Sequence, residues 1–282
     1  VLDGLREAET FGVTGLSYGF DFGVVTARKN AVVEQLRGGV EGLLGHKNIT
    51  LARGKASFKD PHTVVVEGAE YTADYIIIAT GSVSASLPIP GADLPGILTS
   101  REILDMQEVP KRLCVIGGGV IGLEFASIFR SFGSEVTVLE YFKEILPRFD
   151  SDLSKRLKQS LGKRGIEICT QAQVTGIETR DDAAYRVSFT RKGKEETVEA
   201  DKVLMAVGRK ANVASLNLAD VGIEFTPRGI VVDDKTMQTN IPHIYAVGDI
   251  NGKMMLAHAA TFQGLVALDH IMGIENQIDL SV

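Results

Sequence analysis

The chain has 282 residues, of which 44% are hydrophobic, and its formal net charge is −6. This length and apolar share favour about two domains with packed cores, and the negative charge argues against a protein that binds a nucleic-acid backbone. The longest apolar runs, Tyr75–Ala79 and Leu113–Leu123, fall short of the ~20 residues that a membrane span requires. Cys114 and Cys169 lie in separate apolar runs, which predicts buried free thiols in a reducing compartment.

The first part of the chain predicts one long helix followed by short strands. Apolar residues spaced by three and four form one stripe of a helix over residues 24–45, namely Val33, Leu36, Val40, Leu43 and Leu44. Runs rich in β-formers at 49–58, 63–68 and 73–81 predict strands. The segment 87–96 contains three prolines and two glycines, which predicts a linker.

Beyond this linker, strands and helices alternate. The pattern predicts a strand over 112–116, a helix over 120–132, a strand over 135–140, a helix over 151–163 and a strand over 166–169. Such alternation is typical of a parallel sheet with crossover helices. A polar meander (172–200), two apolar strands (201–209 and 241–250) and a helix (about 257–272) follow. The inner side of this last helix is predicted to consist of Phe262, Leu265, Val266, Leu268 and Ile271.

A glycine motif of the form GxGxxG, at Gly117, Gly119 and Gly122, directly follows the strand 112–116 and begins the next helix. In such a motif the first glycine allows a tight turn, the second lets the backbone approach a pyrophosphate, and the third lets helix and strand pack closely. The helix N-terminus offers free N–H groups to the anion. Because the flanking strands, the helix and a terminal acid are all present, the motif predicts a dinucleotide site; the alternative is a tight glycine turn without a ligand.

The terminal acid is Glu140, which lies 140 − 122 = 18 residues beyond Gly122, close to the spacing of about 20 that is usual for such sites. A carboxylate there can accept hydrogen bonds from both ribose hydroxyls and would repel a 2′-phosphate. Residues 141–144 contain no arginine that could bind such a phosphate. The sequence therefore favours NAD over NADP, the alternative being a solvated glutamate at a strand end.

Three other strand ends have small or acidic residues. Thr80-Gly81-Ser82 and Gly208 leave room for a ligand at the carboxyl ends of their strands, although either could be only a tight turn. Asp249 follows another strand and can bind a sugar or ribitol hydroxyl. His258 lies where the last helix begins, and the N–H groups of that helix can face a developing anion. Taken alone, His258 is more simply a residue of the helix start.

Together these motifs resemble the pyridine nucleotide–disulfide oxidoreductases. The matching stretches are ATGS (79–82), GGGVIGLE (117–124) with Glu140, AVGR (206–209) and YAVGD (245–249) followed by LAH (256–258). The resemblance covers the whole chain and implies an α/β fold with two Rossmann-like domains, whose parallel sheets carry β-meanders. It implies an FAD-binding domain that is discontinuous and incomplete, built from residues 1–98 and 212–282, around an NAD-binding domain at 99–211.

The resemblance also implies roles for single residues. Those around the NAD pyrophosphate would be Gly117, Gly118, Gly119, Val120, Ile121, Gly122, Leu123 and Glu124, with Glu124 reaching toward the nicotinamide. Glu140 would bind the adenosine ribose, Val174 the adenine, and Gly208 would line the nicotinamide side. Those around FAD would be Gly54, Thr80, Gly81, Ser82, Asp249, Met255, Leu256, Ala257 and His258. For Gly54 and Val174 a purely structural role is an equal alternative.

The implied activity is the FAD-dependent oxidation of protein-bound dihydrolipoamide, with hydride transfer to NAD. The family's first GxGxxG strand, its CxxxxC redox disulfide and its His–Glu base have no counterpart in this sequence. We therefore assign no catalytic residue and no metal ligand, and expect a fragment that is inactive alone. Two alternatives remain, a disulfide reductase of the glutathione or mercuric type and an NAD-binding module without catalysis.

The resemblance implies partners as well. These are a second copy in a homodimer and a lipoyl-bearing protein, either the acyltransferase of a 2-oxo acid dehydrogenase complex or the H-protein of glycine cleavage. No nucleic acid and no membrane is expected. The implied compartment is the bacterial cytoplasm, or the mitochondrial matrix in a eukaryote.

Overall fold

The computed structural model describes residues 2–180, 184–275 and 278, and the chain divides into two compact units. The first unit combines the residues up to Val40 with Ser84–Gly208, and the second combines Glu41–Val83 with the residues from Arg209 onward. The predicted FAD- and NAD-binding domains are defined by the ligand that each would bind. Their boundaries therefore stay predictions. The end of the predicted segment 212–282, at 276–277 and 279–282, lies outside the described residues.

The helices and strands have the following bounds. The helices are α1 (Leu2–Arg6), α2 (Phe22–Leu44), α3 (Ser100–Leu104), α4 (Val120–Ser131), α5 (Ser151–Lys163) and α6 (Ala257–Ile271), with 3-10 turns at Ala8–Phe11 and Gly248–Asn251. The strands are β1 (Ala56–Asp60), β2 (Thr63–Val66), β3 (Ala69–Thr72), β4 (Ile76–Ile78), β5 (Ser82–Ser84), β6 (Ile97–Leu98), β7 (Arg112–Ile116), β8 (Glu135–Glu140), β9 (Ile166–Thr170), β10 (Ala172–Thr179), β11 (Tyr185–Arg191), β12 (Lys194–Ala200), β13 (Lys202–Met205), β14 (Arg209–Ala211), β15 (Phe225–Thr226), β16 (Gly229–Ile230) and β17 (Ile244–Ala246).

The first unit is built on a five-stranded sheet with the strand order β6-β13-β7-β8-β9. Every neighbouring pair in it is parallel. The chain passes from β7 to β9 through α4 and α5, then returns through the antiparallel meander β10-β11-β12 to β13, on the other side of β7. Strand order thus reverses between β7 and β13. In open α/β sheets, the carboxyl ends of the strands at such a reversal form the crevice that binds ligands.

Strand β7 is apolar because both of its faces are buried. Val115 packs with Phe129 of α4 in one cluster, and Cys114 packs with Phe189 of the meander in the other. A strand that is buried on both faces has apolar residues at consecutive positions, as is usual for parallel strands between two covering layers. This explains why Leu113–Ile116 carries no polar alternation.

An ion pair joins the end of the meander to the start of β7. The Asp201 carboxylate accepts hydrogen bonds from the Arg112 backbone N–H at 2.8 Å and from its Nη2 at 2.6 Å. Burial raises the pKa of Asp201, but the hydrogen bonds from the side chain and backbone of Arg112 lower it, and the net effect is a lowered pKa. The charged form is therefore the one that fixes β13 beside β7.

The second unit contains the antiparallel sheet β1-β2-β3, the parallel pair β4-β17 and the hairpin β15-β16. Its core lies on both sides of β17. Ile244 and Ala246 contribute to one cluster, while Tyr245 and Val247 pack with Val266 of α6 in another. Strand β4 pairs with β17 on one side, and among the described residues no strand pairs with its other side. The unpaired side of β4 is therefore an open sheet edge among the described residues.

Most predicted elements are confirmed. Strands β7 and β8 and helix α5 have the predicted bounds, and the meander forms three antiparallel strands. The strand predicted over 49–58 is wrong in its first part, because β1 begins at Ala56. Gly54 lies before it with a φ of 150° and a backbone so close to Glu67 that a Cβ would lie 2.4 Å from the Glu67 Cγ. Gly54 therefore lies outside the strand, with a φ that differs from that of regular strands.

Helix α2 is confirmed, but its apolar stripe is exposed. Leu36 and Leu43 are 67% and 75% exposed, and of the residues of α2, all of which the structure describes, only Thr26 is buried. The spacing of apolar residues predicts which side chains share a face, but it does not supply the partner that covers them. In the described part of the chain, no helix is both long and apolar enough to cross a membrane.

The inner side predicted for α6 is mostly wrong. Phe262, Leu265 and Leu268 are 45–49% exposed, whereas Val266 is buried as predicted. The buried residues of the helix are Gln263, Val266 and Ala267. A polar residue lies at the centre of the packed face because its side chain has hydrogen-bond partners there, and periodicity of apolar residues cannot detect this.

We predict that Gly122→Ala destabilises the first unit. A Cβ at Gly122 would lie 2.1 Å from the Gly117 carbonyl oxygen, so the gain of up to about 1 kcal/mol in helix propensity is outweighed by overpacking of about 1–3 kcal/mol or more. Gly162→Ala in α5 is the matched control, because no atom lies within 4 Å of its Cβ position. Urea unfolding followed by circular dichroism should show a lower midpoint for the first variant and an unchanged or higher midpoint for the second. Equal midpoints would contradict the close helix–strand contact.

Candidate functional site

The three glycines of the GxGxxG motif differ in what surrounds them. Gly117 has a φ of 111°, and a Cβ there would lie 2.3 Å from the Ala206 carbonyl oxygen; Gly122 is equally constrained by Gly117. These two positions need glycine for the fold itself. Gly119 does not, since a Cβ there would meet no atom within 4 Å. It is the N-cap of α4, where no side chain forms a capping hydrogen bond among the described residues. Open space therefore lies beside the uncapped N-terminus of this helix.

Glu140 is buried, with only 5% of its surface exposed. Its Oε2 accepts a hydrogen bond from the Gly118 backbone N–H at 2.5 Å, and its Oε1 accepts one from the Phe142 N–H at 2.7 Å. The alternative of a solvated glutamate is therefore wrong. The carboxylate joins the end of β8 to the glycine loop, at the position where a ribose-binding acid is predicted. Its contact with a ribose stays a prediction.

The loop after Glu140 closes over the same glycines, which sequence reasoning missed. The Leu146 backbone N–H donates to the Gly118 carbonyl oxygen at 2.9 Å. Ile145 is fully buried, and its Cγ2 would lie 3.0 Å from a Cβ at Gly118. Gly118 therefore has both backbone groups bonded within the protein. The available signal was Ile145 itself, an apolar residue to which the sequence assigned no role.

The other residues predicted around NAD occupy different environments. Val120 and Glu124 are exposed on the first and second turns of α4, Ile121 is half-buried, and the Leu123 side chain lies in the core. Val174 is only 8% exposed and packs in the core cluster of the meander, which supplies a structural reason for it. Gly208 has a φ of 117°, and a Cβ there would meet no atom within 4 Å. The structure thus brings Gly117–Glu124 and Glu140 together, while the ligand contacts of all these residues stay predictions.

In the second unit three strand ends meet in one polar cluster. The Ser82 Oγ donates to the Asp249 Oδ2 at 2.5 Å, and the Arg209 Nε donates to the Ser82 Oγ at 2.7 Å. Arg209 also lies 3.9 Å from the Asp249 carboxylate and donates to the Ser82 carbonyl oxygen at 2.8 Å. Sequence reasoning predicted Ser82 and Asp249 but missed Arg209, which directly follows the predicted Gly208.

The turn before Ser82 is fixed by Asn212. The Asn212 backbone N–H donates to the Gly81 carbonyl oxygen at 3.0 Å, and its Nδ2 donates to the Thr80 carbonyl oxygen at 3.3 Å. Gly81 has a φ of 71°, in the left-handed region that favours glycine. These contacts give Thr80 and Gly81 a structural role, and their predicted contact with FAD stays a prediction.

The first turn of α6 is open. Leu256 is the N-cap and is 60% exposed, and no side chain forms a capping hydrogen bond there among the described residues. Ala257 and His258 are exposed and Met255 is half-buried. The predicted contacts of Gly54 and of this turn with FAD stay predictions.

A buried amide fixes α6 to the turn that carries Asp249. The Gln263 Oε1 accepts hydrogen bonds from the Gly248 backbone N–H at 2.7 Å and from the Asn251 Nδ2 at 2.8 Å. Gln263 and Asn251 are 3% and 6% exposed. Buried polar groups must be hydrogen-bonded, and here one side-chain oxygen satisfies two donors. Sequence reasoning missed this network.

The two cysteines are free and buried, as predicted, with 0% and 4% of their surfaces exposed. Burial raises the pKa of Cys114, and it is also the main cause of the raised pKa of Cys169. A thiol nucleophile needs accessible thiolate, so neither residue can serve as one. Among the described residues, no group of three or more His, Cys, Asp or Glu could bind a metal ion.

Comparison with known proteins shows extensive similarity. A family model described as pyridine nucleotide-disulphide oxidoreductase matches residues 5–264. A dihydrolipoyl dehydrogenase of Acholeplasma laidlawii is 40% identical over 279 residues, covering 97% of this chain and 81% of that protein. One of Bacillus subtilis is 41% identical over 279 residues, covering 97% of this chain and 59% of that protein. The structure of RclA, an HOCl-induced flavoprotein disulfide reductase of Escherichia coli, matches with a TM-score of 0.83 and 31% identity, covering 97% of this chain and 60% of its own. The chain thus spans about three fifths of the latter two proteins.

We predict that Gln263→Ala destabilises the second unit by about 2–6 kcal/mol, because two buried donors lose their acceptor and each costs about 1–3 kcal/mol. The control is Gln107→Ala, since Gln107 is exposed and its one hydrogen bond within the described residues is to the Asp105 carbonyl oxygen. Its expected effect is within about 0.5 kcal/mol. Unfolding midpoints in urea compare the two variants. A loss as small as that of the control would show that the network contributes no stability.

Proposed function

The chain belongs to the pyridine nucleotide-disulphide oxidoreductase family, and we propose that its first unit binds NAD. The binding groups are the glycine loop Gly117–Gly122, the N-terminus of α4 and the carboxylate of Glu140. All of them lie at the carboxyl ends of β7 and β8, beside the reversal of strand order.

The observation that carries this proposal is the open position at Gly119. No contact within the protein requires a glycine at this position, because a Cβ added there would meet no atom within 4 Å. The missing side chain leaves room for a ligand to approach the backbone. The uncapped N–H groups of α4 face the same region and favour an anion. A pyrophosphate fits both features.

Glu140 is the residue proposed to select NAD. Each of its oxygens accepts one backbone N–H, and a carboxylate oxygen can accept more than one hydrogen bond. The remaining lone pairs can accept the 2′- and 3′-hydroxyls of a ribose. A 2′-phosphate would place a second anion beside the carboxylate and would be repelled.

For FAD, the proposed groups lie in the second unit. Asp249 is oriented by Ser82 and Arg209, so its carboxylate is fixed where a ribitol hydroxyl could donate to it. The uncapped first turn of α6, from Met255 to His258, offers N–H groups to a flavin oxygen. Gly54 and Thr80-Gly81 complete the proposed set. The flavin and the nicotinamide supply the redox chemistry when they are bound, and this chain binds and orients them.

We propose that the reaction served is the oxidation of protein-bound dihydrolipoamide by NAD, in a flavoprotein disulfide oxidoreductase. The dihydrolipoyl dehydrogenases at 40% and 41% identity support this substrate, and so does Glu140, since it fits NAD. A different disulfide reductase is the second candidate, favoured by the similarity to RclA. Cys114 and Cys169 take no part in the proposal because they are buried.

The proposed partners follow from the substrate. Dihydrolipoamide is carried by the acyltransferase of a 2-oxo acid dehydrogenase complex or by the H-protein of glycine cleavage, and the enzyme would act as a homodimer. A bacterial cytoplasm is the proposed compartment, because its reducing conditions keep buried thiols free.

We predict that the chain binds NAD roughly tenfold or more tightly than NADP, since a lost ribose interaction and charge repulsion each contribute about 1–3 kcal/mol. Glu140→Gln keeps one carbonyl acceptor but removes the charge. It should therefore weaken NAD binding and reduce the ratio of the affinity for NAD to the affinity for NADP. Glu135→Gln is the control, because Glu135 is exposed at the first position of the same strand. Isothermal titration with both cofactors measures the ratio. If the ratio of the two affinities is unchanged in Glu140→Gln, Glu140 does not contribute to the choice of cofactor.

We also predict that the protein made from its full reading frame, reconstituted with FAD, reduces NAD with dihydrolipoamide. Reduction of glutathione disulfide or mercuric ion with NADH or NADPH should be at least about a hundredfold slower, since a site adapted to one substrate can discriminate by several kcal/mol. Steady-state absorbance of NADH, or of NADPH where it is the reductant, measures the rate of each reaction. Faster turnover of glutathione disulfide or mercuric ion would establish the second candidate function instead.

A further inference from the structure

Leu146 has a backbone conformation that is unfavourable for its place in the sequence. Its φ is 49°, in the left-handed region that residues with a Cβ rarely adopt. It also precedes Pro147, and a residue before proline normally has an extended backbone. Strained conformations persist only where the surrounding contacts over-determine them, and they concentrate at functional sites. The contacts of Leu146 therefore show what this strain achieves.

Three contacts hold Leu146 in this conformation. Its N–H donates to the Gly118 carbonyl oxygen at 2.9 Å, and its own carbonyl oxygen accepts from the Phe149 N–H at 2.9 Å. Its side chain packs against the core cluster that contains Ile145 and Phe129. The apolar packing gives a reason for leucine rather than glycine at this position. The two backbone hydrogen bonds account for the left-handed backbone.

The hydrogen bond from Leu146 also orients a peptide group of the glycine loop. The peptide bond between Gly118 and Gly119 is trans, so its carbonyl oxygen and its N–H point in opposite directions. Because the Gly118 oxygen faces Leu146, the Gly119 N–H points away from Leu146. Among the residues that the structure describes, none accepts a hydrogen bond from this N–H. The Gly118 N–H, in contrast, already donates to Glu140.

We propose that Leu146 is a positioning residue for the dinucleotide, whose left-handed backbone fixes the Gly118–Gly119 peptide so that the Gly119 N–H donates to a pyrophosphate oxygen. This inference rests on the proposed binding of NAD. Leu146 itself touches no ligand and acts through the peptide that it orients. Hydrogen bonds to charged acceptors are stronger than those between neutral groups. A donor that is already oriented before the ligand arrives binds more tightly than one that must be ordered on binding.

Two substitutions separate the backbone of Leu146 from its side chain. Leu146→Ile keeps the size and the apolar character, but a β-branched residue is strongly disfavoured at positive φ. Leu146→Asn loses the apolar packing, but asparagine tolerates the left-handed region. Leu146→Ile should bind ADP and NAD about tenfold or more weakly than the parent chain. Leu146→Asn should be less stable than the parent chain but should retain most of the affinity.

The controls test whether the effect is specific to phosphate and to this loop. Adenosine contains the ribose and the base but no phosphate, so its affinity should be the same in the parent chain and in Leu146→Ile. Lys192→Ile places the same β-branched residue at another positive φ, since Lys192 is exposed in the turn between β11 and β12 with a φ of 51°. It should lower the unfolding midpoint in urea without changing the affinity for ADP. Isothermal titration measures the affinities, and circular dichroism checks that each variant is folded.

Amide resonances of the parent chain give a second readout, which decides the question even if Leu146→Ile does not fold. In a ¹⁵N-labelled sample, ADP should shift the Gly119 amide proton downfield, and adenosine should leave it unchanged.

Three results would overturn the positioning role and leave the proposed function intact. These are a folded Leu146→Ile that binds ADP as tightly as the parent chain, a Leu146→Asn that is weakened as strongly as Leu146→Ile, and a Gly119 amide that does not respond to ADP. Failure of the parent chain to bind NAD or ADP would overturn the proposed function, and the positioning role with it.

Discussion

The carboxylate of Glu140 is the contact on which the candidate site depends. It is buried at the end of β8, and each oxygen accepts a backbone N–H, one from the glycine loop and one from the segment that follows the strand. A buried charge is tolerated only when it is well hydrogen-bonded. The requirement is mutual, because a Cβ at Gly118 would lie 3.0 Å from the Glu140 Oε2. A glycine at position 118 therefore leaves the room that the Glu140 carboxylate occupies. The carboxylate in turn fixes the position of the glycine loop through its hydrogen bond to the Gly118 N–H.

The sheet explains how these groups come together. Parallel strands have their carboxyl ends at one edge, so the loops after β7 and β8 are neighbours although the residues are far apart in the chain. The return of the chain to β13 places Ala206 against Gly117 on the other side. Strand β7 is covered by helices on one face and by the meander on the other, so it is packed on both faces up to its end. A loop at such an end can combine tight turns with an open approach for a ligand.

The strands and helices of the sheet in the first unit could be predicted from the sequence, whereas several contacts in both units could not. The bounds of β7, β8 and α5 follow from strong apolar patterns, and the spacing from Gly122 to Glu140 follows from the size of one βαβ unit. The packed face of α6 could not be predicted, because Gln263 is buried through hydrogen bonds to a turn 12 and 15 residues earlier. The contact of Arg209 with Ser82 spans 127 residues and leaves no local pattern. The burial of Glu140 was likewise invisible, since a strand-end glutamate is usually solvated.

The hydrogen-bond network around Gln263 also affects the deamidation of Asn251. Asn251 is followed by Gly252, and in such a dipeptide the glycine backbone nitrogen readily attacks the asparagine side-chain carbonyl carbon. Ammonia leaves, and hydrolysis of the cyclic imide by water produces a carboxylate. In the folded chain both reacting groups are engaged, since the Asn251 Nδ2 donates to Gln263 and the Gly252 N–H donates to the Asp249 carbonyl oxygen at 3.1 Å. Gly252 cannot be exchanged for a bulkier residue, because a Cβ there would lie 2.1 Å from the Arg228 carbonyl oxygen. The fold thus requires glycine at position 252, and its hydrogen bonds protect the Asn251-Gly252 dipeptide from deamidation. A chain that deamidates at Asn251 while unfolded acquires a carboxylate that cannot donate to the Gln263 Oε1, so the turn beside Asp249 loses this hydrogen bond on refolding.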